Sequence, residues 1–97
     1  MPFLHLGVIF EDSEAPKSKD IEKVLNRAKD WLRYAPNCWL IYSAKGAKVW
    51  GKRIREIDGM EEHARFLICE MPVDMKDKRD GWLSKSVWDW IKRNQPS

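Results

Sequence analysis

Proline and glycine are scarce in this chain, five of each in 97 residues, which excludes a disordered tail or a flexible linker. Cysteine is scarcer still. Cys38 and Cys69 lack the CxxC spacing of a redox or zinc motif, and both lie in apolar, strand-like runs. They are expected as buried free thiols, not as a disulfide. No apolar run approaches the roughly 20 residues of a membrane helix: the longest, Phe3 to Phe10, is broken by His5 and has neither a basic n-region nor a small-residue cleavage site. A cytoplasmic protein without membrane contact is therefore expected. Catalytic signatures are missing too, with no P-loop, GxGxxG, HExxH or GxSxG. His5 and His63 stand alone, without a second His, Cys or carboxylate at ligand spacing.

What is present, 43% hydrophobic and 34% charged residues, has the profile of one small compact domain over residues 1–97. Phe3 to Phe10 is apolar on both alternating faces, as an interior strand should be. Three acids in four residues, Glu11, Asp12 and Glu14, follow it as an exposed loop. Ser18 then reads as an N-cap, and Ile21, Val24, Leu25, Ala28, Leu32 and Ala35 recur at helical spacing, predicting one long helix that Pro36 stops near Tyr34. Cys38 to Ser43 predicts a buried strand. Trp50, Ile54 and Ile57 predict a second helix over Ala47 to Ile57, with Gly51 an unfavourable interior residue. Arg65 to Met71 predicts a third strand closed by Pro72, and the sign-alternating run Asp74 to Asp80 a solvated loop. Trp82, Leu83, Val87, Trp90 and Ile91 predict a C-terminal helix, with Ser84 a possible cap. The order β-α-β-α-β-α implies an α/β domain, a sandwich of helices on a three- or four-stranded sheet. A right-handed first crossover would make its first two strands parallel, and the sense of the third is open.

Charge is distributed unevenly. Residues 1–44 carry six Lys/Arg and six Asp/Glu, residues 59–97 seven of each, and residues 45–58 five against two. The excess of +3 thus falls on one short segment. There Lys45, Lys48, Lys52 and Arg55 are spaced 3, 4 and 3 apart along one helix face, with Arg53 at its rim. Such a row suits nucleic acid or an acidic protein surface, although an amphipathic helix needs a wet face in any case. Six tryptophans are more than so small a core encloses. Trp31, Trp39, Trp50 and Trp90 are expected in or beside the core, and Trp88 at the margin of its helix, where it could join a partner. Glu11 and Asp12, where the first strand leaves the sheet, could hold Mg²⁺ against a phosphodiester, the only feature open to an enzymatic reading.

Val8-Ile9-Phe10-Glu11-Asp12, the helix closing on Trp31-Leu32-Arg33-Tyr34, the strand Cys38 to Ser43, the next helix and Arg65 to Met71 follow one another in a familiar order. Over roughly residues 3–72 the chain resembles the small family of the dimeric subunit of the CRISPR adaptation complex and its uncharacterised bacterial relatives. The resemblance implies a ferredoxin-like fold, a homodimer joined through its sheets, and nucleic-acid contact through basic residues. In some members it also implies a debated metal-dependent nuclease that uses an aspartate at the end of strand one. Glu11 stands where that aspartate would be, and no separate strand is evident before the second helix, where the family has a hairpin. The functions expected are a non-catalytic, dimeric binding module or, alternatively, a nuclease using Glu11 and Asp12. Dimerisation is expected independently, centred either on a sheet edge, since the charge-free strand Cys38 to Ser43 does little to discourage pairing, or on the Trp88 margin.

Overall fold

An apolar strand flanked by polar loops must find partners on both edges, and the sheet is built around that need. The computed structural model describes residues 3–60, 65–71 and 85–94. Its elements are β1 (Leu4–Phe10), α1 (Ser18–Leu25), β2 (Asp30–Ala35), β3 (Cys38–Ser43), α2 (Ala47–Arg55), β4 (Phe66–Met71) and a C-terminal helix, α3 (Lys85–Arg93). The strands form one sheet in the order β2-β3-β1-β4, and every neighbouring pair is antiparallel. β1 lies inside, as its two apolar faces predict, and so does β3, whose two edges are both paired, so the edge pairing expected of Cys38 to Ser43 is not open to that strand. The run Asp74 to Asp80, His63, Trp82, Leu83 and the cap expected at Ser84 lie outside the described residues.

Two expectations are corrected here. The first helix is not long: it ends at Leu25, and Asp30–Ala35 form β2. Ile21 to Ala35 satisfies helical spacing, but β3 is buried at every position and needs a hydrogen-bonding neighbour beyond the one that β1 supplies. Long-range pairing outweighs the few tenths of a kcal/mol per residue of local helix preference. A tight connection at Pro36-Asn37 joins β2 to β3, with Arg33 opposite Trp39, Ala35 opposite Cys38 and a register shift between. The hairpin missing from the sequence reading is therefore present, hidden in the end of the predicted helix. The second correction concerns direction. The strand after the first helix in the sequence reading is β3, and it pairs antiparallel to β1, with Leu4 opposite Ser43 and Ile9 opposite Cys38. The strand parallel to β1 is β2, which lies beyond β3, so each crossover spans an intervening strand.

One face of the sheet meets α1 and α2. Leu6, Val8, Phe10, Ile21, Leu25, Trp39, Ile41, Trp50, Ile54 and Met60 form this main core. Ser18 is not the N-cap: Lys17 occupies that position with φ 53°, while Ser18 Oγ donates to Ala15 O at 3.1 Å. Gly51 is buried against β4, where a Cβ would stand 3.9 Å from Ile68 Cδ1 and 3.3 Å from the Arg55 guanidinium. Its small size thus serves the close approach of α2 to the sheet.

The other face carries a smaller core, Leu40 and Tyr42 packed on Val87, Trp90 and Ile91 of α3, with Trp88 half-buried beside them. Polar contacts tie α3 down. His5 Nε2 lies 2.6 Å from Asn94 O beneath the helix end. Asp30 Oδ2 accepts from Asn94 Nδ2 at 2.8 Å and from the Arg93 guanidinium at 3.1 Å. Burial opposes the Asp30 charge. The hydrogen bonds from Asn94, Arg93 and the Trp31 N–H, together with the positive charge of Arg93, outweigh that cost and hold the carboxyl below its ordinary 3.8.

Candidate nucleic-acid interface

The residues of the basic row are placed by the start of α2. Ser43 Oγ, at the end of β3, accepts from the Lys45 N–H at 2.9 Å and from Trp50 Nε1 at 3.0 Å. This fixes where the chain turns and which side of the helix faces inward. Trp50 and Ile54 are then fully buried, and Lys45, Lys48, Lys52 and Arg55 are exposed on the outer side. The structure therefore brings all four onto one surface. Arg53 behaves differently: it is half-buried, its guanidinium 4.7 Å above the Trp50 ring. Two positions from Gly51 is about 200° around a helix, so Arg53 lies on the flank away from β4. That flank faces α1.

Helix electrostatics account for some of these cations. Lys52, Arg53 and Arg55 occupy the last turn of α2, where positive charge interacts favourably with the exposed carbonyl end. Lys45 and Lys48 are at the other end. No acid stands in the first turn of α2, so Lys48 lies where a cation costs stability and an anion would favour the helix. Among the described residues none of these side chains is in an ion pair.

Glu11 and Asp12 are exposed at the end of β1. Glu11 is held to the start of β4 by its backbone, N–H to Arg65 O at 2.9 Å, and its carboxylate lies 3.9 Å from Arg65 Nε. No group of three or more His, Cys, Asp or Glu placed to hold a metal ion occurs among the described residues. Mg²⁺ takes an octahedral shell of oxygens that one or two carboxylates complete with water and phosphate, and under the alternative reading Glu11 and Asp12 would be those protein ligands. His5 is engaged elsewhere, beneath α3.

Cys38 is buried as expected, but Cys69 is exposed. β4 is an edge strand, and Cys69 points to the face of the sheet that α3 covers only in part. On that face Ile9 and Leu67, opposite one another in the β1–β4 register, are 45% and 59% exposed. The row continues through Cys38, opposite Ile9, to Tyr34 on β2. Burial and a hydrogen bond to Cys38 push the Tyr34 phenol up to about 12, so it stays neutral across the physiological range. Sequence reasoning missed this row. Its signal was the apolar character of Ile9 and Leu67 on strands whose uncovered face could not be known. Trp88, the expected partner-contacting residue, packs half-buried on the α3 core.

No helix among the described residues is long and apolar enough to cross a membrane. Comparison of the chain with family models, with curated proteins and with solved structures finds no match in any of the three.

Proposed function

We propose that this chain is a non-catalytic, dimeric binding module of ferredoxin-like architecture that meets nucleic acid through the exposed face of α2. The observation that carries the reading is the outward row Lys45, Lys48, Lys52 and Arg55, without ion pairs among the described residues, which extends to the N-terminal end of the helix, where stability disfavours cations. Condensed counterions released from a phosphate backbone would offset that cost. The ferredoxin-like assignment is supported by the βαββαβ order and by the sheet order β2-β3-β1-β4. The β2–β3 hairpin supports a relation to the small subunit of the CRISPR adaptation complex, since it supplies the part the sequence reading lacked.

The test is a titration of a labelled duplex at low salt. The quadruple Ala variant of Lys45, Lys48, Lys52 and Arg55 should bind more weakly, and its salt slope should shrink by about 0.9 for each phosphate that is no longer neutralised. Absence of binding by the unaltered protein at low salt would sink the nucleic-acid reading and leave an acidic protein surface as the partner.

A two-fold dimer is supported by the row Ile9, Leu67 and Tyr34, an exposed apolar strip on the sheet face that carries α3. Stacking two such faces would remove it from water, and a stable interface would bury about 1,200 Å² or more. Light scattering at micromolar concentration and low salt should give the mass of two chains. A monomer mass would refute the dimer.

A further inference from the structure

We propose that α1 supplies a second row of phosphate-binding cations, so that the interface is a two-helix surface shaped for the backbone of a duplex. This rests on the reading of α2 as a nucleic-acid contact and extends it to residues that a charge count along the chain conceals. Residues 17–29 carry Lys17, Lys19, Lys23, Arg27 and Lys29 against Asp20 and Glu22. The same five-to-two ratio occurs around α2. In the sequence this excess is cancelled by the neighbouring acids Glu11, Asp12 and Glu14, which occupy the exposed loop between β1 and α1, with the Glu11 carboxylate 3.9 Å from Arg65 Nε.

Geometry brings the two basic segments together. α1 and α2 pack on the same face of the sheet and share the main core. β1 and β3 are antiparallel and each leads into its own helix, so the helices run antiparallel too. The ends agree: the Lys17 side chain, before α1, lies against Gly59, just after α2, its Cε 2.9 Å from where a Cβ would stand. The cationic last turn of α2 therefore lies at the Lys17–Lys19 end of α1. Of the two acids in the α1 segment, Glu22 turns inward, its carboxylate accepting from Trp39 Nε1 at 3.2 Å and lying 4.0 Å from the Arg33 guanidinium. Lys19, Lys23, Arg27 and Lys29 are exposed and in no ion pair among the described residues. Half-buried Arg53, on the α1 side of α2, stands between the rows. Together the two segments hold ten of the 18 basic residues and four of the 15 acidic ones, leaving eight against eleven elsewhere. Both segments of the helical layer thus carry a basic excess.

The class of nucleic acid follows from spacing and from the aromatic residues. Packed helices lie about 8–10 Å apart, and the major groove is about 12 Å wide. Two rows of long cationic side chains at that separation can reach phosphates on both banks of one groove. Single strands are held differently, by aromatic side chains on which bases stack. Beneath this layer Trp39 and Trp50 are fully buried and half-buried Trp31 is tied to Asn26 at the end of α1, its indole donating at 2.9 Å, while the exposed aromatic residues among the described ones, Phe3 and Tyr34, belong to the opposite face. Among the described residues the surface offers many cations and only the half-buried Trp31 as an aromatic, which favours sequence-independent duplex binding over base stacking.

The experiment is fluorescence anisotropy with a labelled duplex and a single strand of equal length, over a series of salt concentrations. It uses the full chain, the triple variant Lys19→Gln, Lys23→Gln, Arg27→Gln, and the α2 quadruple variant. These side chains are exposed, and circular dichroism checks that each variant is folded. The α1 variant should lose at least about tenfold in duplex affinity at about 50 mM salt, with a log–log slope flatter by about 2–3. The unaltered protein should bind duplex more tightly than single strand. If the α1 variant binds like the unaltered protein while the α2 variant is weakened, the two-helix surface is wrong and the α2 reading stands. If the unaltered protein binds neither, both fall. Tighter binding of the single strand would overturn the duplex assignment.

Discussion

Trp39→Ala is expected to destabilise the domain by about 3–5 kcal/mol, the usual cost of emptying a buried aromatic site. The ring is fully buried at the centre of the main core, edge-on to Phe10 with centroids 5.8 Å apart and covered by the Arg33 guanidinium at 4.8 Å. Its loss also leaves Glu22 without the indole donor at 3.2 Å. Against a total stability on the order of 5–15 kcal/mol, such a loss removes a large part of the folded state's margin. In a domain of this size each kcal/mol moves the Tm by about 4–8 °C, so thermal and urea unfolding followed by circular dichroism will register it. Trp31→Ala is the internal comparison. That ring is only half-buried, its indole donates to Asn26 Oδ1 in an exposed bond of 2.9 Å, and the loss should be clearly smaller. Equal losses at the two positions would contradict the placement of Trp39 at the centre and Trp31 at the margin.

His5→Ala should cost about 2–4 kcal/mol, from a cavity together with an acceptor deprived of its partner. The imidazole is buried under α3, 4.7 Å from the Tyr42 ring and 6.1 Å from Trp90, and it contacts Asn94 O at the end of the helix. The effect should concentrate on α3, whose amides should exchange with solvent faster than those of β1 and β3. Uniform acceleration across the sheet would show that His5 supports the whole core and not the helix in particular. Asp30 holds the same end of α3 and adds a pH dependence. Its folded pKa is depressed below 3.8, so its contribution is present above that value and is lost as pH falls through the folded pKa. Asp30→Asn should therefore flatten the acid limb of the stability curve, where pH falls through the ordinary carboxylate range and below it. An unchanged acid limb would mean that the contacts with Arg93 and Asn94 do not favour the charged carboxylate.

Local chemistry alone determined a good part of this protein. β1 is interior because both of its faces are apolar, β3 is buried because Cys38 to Ser43 contains no charge, and α2 presents its basic row because Trp50 and Ile54 must face inward. These features depend on residues near one another in the chain, so periodicity and turn residues suffice to read them. What lay outside local chemistry was decided by pairing. Ile21 to Ala35 fits a helix as well as a helix followed by a strand, and only the unpaired edge of β3 selects the second. The sense of the strands followed from that hairpin. So did the exposure of Cys69, which lies on the outermost strand among the described residues, on the face that α3 covers only in part. The candidate site divides in the same way. Lys45, Lys48, Lys52 and Arg55 are legible as a row because one helix carries them, whereas Lys19, Lys23 and Arg27 join them only once the sheet has set α1 beside α2. Charge summed along a chain averages over neighbours in sequence, but a phosphate backbone meets neighbours in space.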